Sequence, residues 1–249
     1  MHTLNIIAVD TISNRSVPQA VTFERGEYGE LEGVLFDTTA SAILDNLNKY
    51  LPASFVSFDK KGRGDALNVD LYGWDPDEEV GVVQVRQAFR RYRGGFLNIR
   101  KTYVLCGYNE IGTAFRHPVS AHAIRGAINA GADPVATVRA AQRWMWGVTS
   151  KQLEAGRRQG DILIVPERGT PRGELTEQGT EARLAGTHIV RSERIVTTTN
   201  GRLYALRPTL IHTKNQHRDA RAPMADSSWY SVRVAHEAEA WDFSARFGD

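Results

Sequence analysis

Four of the seven histidines fall late in the chain, at His188, His212, His217 and His236. The densest polar run there is His212-Thr-Lys-Asn-Gln-His217-Arg-Asp219. Three imidazoles with one carboxylate suit zinc or another first-row divalent metal. Two imidazoles alone suit general acid and base in phosphodiester cleavage. His188, His212, His217 and Asp219 are therefore the candidate catalytic group of a metal- or histidine-dependent hydrolase or nuclease, with a divalent metal as its possible cofactor. The condition is that strands bring His188 beside His212. Nothing in the spacing is diagnostic, unlike His-Glu-x-x-His, and the plainer reading is strand histidines beside a polar loop. His117 and His122 are five apart, which does not put them on one helical face, so no shared metal is expected there.

A second chemistry is phosphate recognition. Residues 86–143 carry ten Lys/Arg and two Asp/Glu. Arginines alternate with aromatics in Phe89-Arg-Arg-Tyr-Arg-Gly-Gly-Phe96, the pairing with which backbone-tracking grooves neutralise phosphates and stack bases. The candidate nucleic-acid-binding residues are Arg86, Arg90, Arg91, Tyr92, Arg93, Arg100, Lys101, Arg125, Arg139 and Arg143, with DNA and RNA both open. Arginine's planar fork suits phosphate, although a GC-rich genome gives the same excess of arginine over lysine. Residues 1–85 hold 6 basic and 14 acidic residues. The basic window thus either faces an external polyanion or docks on the acidic front part, of its own chain or of a neighbour. The second case implies self-association and a phage-type assembly or interaction protein.

The elements that must position these groups follow from periodicity. Leu4–Val9, Val21–Phe23, Val34–Phe36, Phe55–Phe58 and Leu67–Leu71 read as strands. A helix is expected from Asp37 or Thr38 to about Tyr50, with Ile43, Leu44, Leu47 and Tyr50 on one face. Val80–Tyr92 fits both periods. Its Val82, Val85, Phe89 and Tyr92 stripe favours a helix, whose C-terminal arginines would be stabilised by the helix dipole. Leu97–Gly107 is a strand.

His117–Gly147 predicts two helices around a turn at Gly131. Pro118 fits the first turn of one, with Ala121, Ile124, Ala127 and Ile128 as its stripe. Asp133 caps the other and Pro134 takes its first position, with Val135, Val138, Ala141 and Met145 inward. The arrangement weakly resembles a helix-turn-helix, but Thr137 stands where that motif wants an apolar residue. A structural helical hairpin is the better reading.

From Gly160 the pattern is β. Gln159-Gly-Asp-Ile-Leu-Ile-Val-Pro166 resembles the openings of small β-barrels, the LexA-like peptidases among them. No Ser-Met nucleophile precedes it and no partnered lysine follows, so peptidase activity is not expected. The last third also resembles uncharacterised phage and bacterial β domains with paired histidines, which implies no activity. Gly169–Gly186 reads as a loop, and strands are expected at 187–191, 193–198, 202–206, 210–212 and 229–235. Asn200-Gly201 is a two-residue hairpin turn, and Glu237–Asp249 a short amphipathic helix.

At 41% apolar and 24% charged residues the chain is ordinary for a globular protein. No apolar run approaches the roughly 20 residues of a membrane helix, and the start lacks the features of a secretory signal. Cys106 is the only cysteine, which fits a reducing, cytoplasmic location. The expected fold class is α+β: a mixed αβ part over 1–116, a helical hairpin and connector over 117–158, and a small antiparallel β-barrel-like domain over 159–249.

Overall fold

A computed structural model describes residues 2–10, 15–25, 31–32, 64–90, 98–108, 114–130, 133–213, 220–221, 229–236 and 238. The fold is mostly antiparallel sheet with few helices, in the α+β class. It forms two compact units. The expected helix over 37–50, the turn at Gly131 and the C-terminal helix lie outside the described residues.

In the first unit, β1 (His2–Asp10), β2 (Arg15–Arg25) and β3 (Leu31–Glu32) make a three-stranded sheet. A second sheet is a four-stranded meander of β4 (Gly64–Asp75), β5 (Val80–Arg90), β6 (Asn98–Tyr108) and β7 (Ala114–Val119). β5 corrects the helix expected at 80–92. Its valines at 80, 82, 83 and 85 are all buried, as is Gln84 between them, so both faces are covered and the strand shows no alternation of apolar and polar positions. Branched valines also lose side-chain freedom in a helix. The dipole argument for the arginines at the end of this segment therefore lapses.

Helix α1 (Ala121–Asn129) buries Ile124. It starts after Pro118, which sits in β7 opposite Val104. β7 is an edge strand, where a missing N–H costs least. Helix α2 (Pro134–Trp146) begins as expected, because Asp133 Oδ1 accepts the Ala136 N–H at 2.7 Å. Val138, Ala141 and Met145 are buried, and so are Thr137 and Gln142. Gly73 of β4 meets α2 closely: a Cβ there would lie 2.8 Å from Thr137 Cβ and 2.9 Å from the Pro134 carbonyl. The division between the units falls within α2, residues 134–141 belonging to the first and 142–146 to the second.

The second unit continues with α3 (Ser150–Ala155), started by a Thr149/Gln152 capping box. Its strands are β8 (Arg157–Gln159), β9 (Ile162–Pro166), β10 (Leu175–Leu184), β11 (His188–Thr198), β12 (Leu203–Leu206), β13 (Thr209–His212), β14 (Ala220–Arg221) and β15 (Trp229–Val234). They form one sheet in the order β14-β13-β11-β12-β15-β9-β8, with β10 on the other side of β11. β10 replaces most of the expected loop. Ile162, Ile164, Val190, Ile195, Ala205, Leu210, Tyr230 and Val232 are its core.

Long β11 changes partner along its length. Arg191 back to His188 pairs with β13, and Arg194–Thr197 pairs with β12. Between the halves, Ser192 Oγ donates to the Leu206 carbonyl, and Arg207 turns the chain at φ +51°. The Asn200 turn is a three-residue loop rather than a two-residue one. Thr198 N–H donates to the Arg202 carbonyl at 3.0 Å, and Gly201 takes φ +78°, the left-handed position such loops need. Among the described residues the sheet stays open, not a barrel. Gln159 of β8 nevertheless reaches β13 and donates to the Leu210 carbonyl at 3.3 Å.

Candidate functional sites

The histidines of the second unit are placed by the β11–β13 register. His188 stands opposite His212, and Val190 opposite Leu210. Residues two apart share a face, so both imidazoles lie on the side of the sheet that carries the core. Each is 2% exposed. Their ring centroids are 4.9 Å apart at an interplanar angle of 80°, an edge-to-face contact. Thr187 Oγ1 lies 3.3 Å from His188 Nδ1, and the Thr213 N–H donates to the Thr187 carbonyl at 2.8 Å. That bond extends the ladder one step past the pair.

The structure thus brings together two members of the predicted catalytic group. His217 and Asp219 lie outside the described residues. His236 is held elsewhere, its N–H donating to the Met145 carbonyl. Among the described residues, no three His, Cys, Asp or Glu side chains gather as a metal would require.

The basic residues of the first unit are arranged by the β4–β5–β6 pairing. Arg86 faces Lys101 and Asn68, Arg100 faces Gln87, and Arg90 faces Gly64. Within the described pairings, no acidic residue stands opposite any of these four cations. Like charges directly opposite on neighbouring strands destabilise a sheet. Lys101 is exposed. Toward the other end of the same strands, Gln84 Nε2 donates to Tyr103 Oη at 2.6 Å, and the Tyr72 and Tyr103 rings pack edge to face.

Three further predicted residues, Arg125, Arg139 and Arg143, are carried by helices α1 and α2. Arg125 is exposed on α1. Arg139 is 3.9 Å from the buried carboxylate of Asp75. Arg143 donates to Ser150 Oγ at 2.8 Å, bracing α2 on α3 within the second unit. Arg91, Tyr92 and Arg93 lie outside the described residues. Cys106 is buried, and burial pushes its thiol up to about 12, against a smaller lowering by Arg116. It is inert as a nucleophile.

A feature absent from the sequence reading is a cavity of about 590 Å³ in the second unit. The segment Glu167–Arg172 lines it together with Tyr204 of β12. Its signal in the sequence is Arg168-Gly-Thr-Pro-Arg172-Gly, two arginines in a turn-forming run, but their approach to Tyr204 depends on the sheet.

No protein-family model matches the chain, and no curated protein and no solved structure does either. No helix among the described residues is long and apolar enough to cross a membrane.

Proposed function

We propose that this protein binds nucleic acid through the end of the β4–β6 sheet that carries Arg86, Arg90, Arg100 and Lys101. One observation carries the reading: four cations gathered on two paired strands, with Arg86 opposite Lys101 and, within the described pairings, no acidic residue opposite any of them. An isolated sheet gains nothing from such a register, whereas a phosphate backbone repays it by releasing counterions. In sequence, Arg91, Tyr92 and Arg93 follow directly on β5.

Fluorescence anisotropy with duplex and single-stranded oligonucleotides tests this. Affinity should fall steeply as salt rises from about 50 to 200 mM, and Lys101→Ala should reduce the salt slope by about one. No binding at low salt overturns the proposal.

The direct His188–His212 pairing favours a second reading, a hydrolase or nuclease centred on the second unit. Its two imidazoles would supply an acid and a base, or two ligands to a divalent metal, with His217 or Asp219 completing the set. Purified protein carrying stoichiometric metal that His212→Ala loses would support it. Absence of both metal and nuclease activity would remove it.

A further inference from the structure

We infer that the Tyr204 cavity is a second binding site, built for a nucleobase together with its phosphate. It is the unit that single-stranded nucleic acid presents and double-stranded nucleic acid hides. The inference rests on the nucleic-acid reading above and extends it to the other compact unit. Tyr204 alternates along β12 with Leu203 and Ala205, which pack on the core. Its ring therefore belongs to the opposite face of the sheet, and it remains part-exposed between Val196 of β11 and Ser231 of β15. A tyrosine in that position offers a flat face on which any base can stack.

The rest of the lining supplies the other half of a nucleotide's chemistry. Arg168 and Arg172 are exposed cations lining the same cavity as Tyr204, and their forked guanidinium groups match phosphate oxygens. Glu167 lines it too. A carboxylate accepts from a base N–H, whether the amino group of guanine or the ring N3–H of uracil and thymine, but repels a bare phosphate, so an inorganic anion fits this lining worse than a nucleotide. Glu167 is fixed at the cavity edge because its N–H donates to the Trp229 carbonyl at 2.8 Å. The volume of about 590 Å³ lies within the range of small-ligand sites. In a duplex the base faces are stacked and unavailable to Tyr204.

Free mononucleotides and single strands share this chemistry, and the test separates them. Binding of 5′-GMP, 5′-UMP, a twelve-residue oligo-dT and a twelve-base-pair duplex is measured on the full chain at low salt. The variants are Tyr204→Ala, Tyr204→Phe and Arg168→Ala/Arg172→Ala, with Lys101→Ala as the control in the first unit. Oligo-dT affinity should fall at least about fivefold in Tyr204→Ala. It should also fall in the double arginine variant and be retained in Tyr204→Phe, with duplex affinity unchanged by all three.

Mononucleotide binding lost in the same variants would identify free nucleotide as a sufficient ligand. Binding of oligo-dT without mononucleotides would assign the site to the strand. Oligo-dT affinity equal in wild type and all cavity variants, with Lys101→Ala still weakening it, would overturn this inference and leave the first reading standing. Failure of the wild type to bind any probe would overturn both.

Discussion

Asp75 and Arg139 meet at 3.9 Å, a carboxylate only 1% exposed facing a guanidinium that is 41% exposed. One arginine of the basic window is thus held by an acidic residue of the front part of the same chain. The same carboxylate ends the β4–β5 hairpin, its Oδ1 accepting the N–H groups of Asp77 and Glu78 at 3.1 and 3.4 Å. Arg139 thus has an acidic neighbour. The nucleic-acid proposal rests instead on cations without an opposing acid in the register.

Asp75→Ala should destabilise the protein by about 1–3 kcal/mol, because it strands turn N–H groups. Asp75→Asn keeps an acceptor and should cost less. Burial, reinforced by Glu78, raises the Asp75 pKa. A folded-state pKa above the unfolded value means that the folded state favours the protonated carboxyl. This contribution is full below the unfolded pKa and is lost as pH rises through the folded one. Wild type should therefore gain stability relative to Asp75→Asn between pH 7 and pH 4 in denaturant melts. A difference that moves the other way contradicts this environment for Asp75.

Cys106, with its thiol held up at about 12, should not react with a thiol-specific disulfide reagent at pH 8 in the native state. One equivalent should react after denaturation. Rapid native labelling would place the thiol at the surface.

Gly73 and Gly126 should respond oppositely to alanine. At Gly73 the new methyl would press on Thr137 and the Pro134 carbonyl, an overpacking worth about 1–3 kcal/mol of lost stability. At Gly126, inside α1, a Cβ meets nothing within 4 Å, so the helix should gain about 0.5–1 kcal/mol. Thermal melts of the two variants read both signs.

The helices α1 and α2 were legible in the sequence because their signals are local: Asp133-Pro134 starts α2, and Val138, Ala141 and Met145 repeat at helical spacing. β5 was not, because four close valines satisfy both periods, and only burial on both faces decides between them. β10 was missed for the opposite reason. From Thr176 to Glu181 it is exposed along its length, and its pairing with β11 shifts register around Gly179, so no alternation marks it.

The juxtaposition of His188 and His212 also escaped the sequence. It is set by the β11–β13 register, which the chain reaches through the turn at Arg207, a non-glycine residue at φ +51°. The arginines of the β4–β6 sheet were visible as composition, and their register was not.

Arg86→Glu gives the most direct test of the central claim, because binding and stability should move in opposite directions. Facing Lys101, the new carboxylate turns a like-charge pair into an opposite-charge pair, which should stabilise the fold by about 0.2–1 kcal/mol. The same change removes a phosphate contact and adds a repulsion. Salt-titrated affinity for a duplex oligonucleotide should therefore drop and its salt dependence flatten, while the melting temperature holds or rises. A variant that binds nucleic acid as tightly as wild type with the same salt slope would contradict the account.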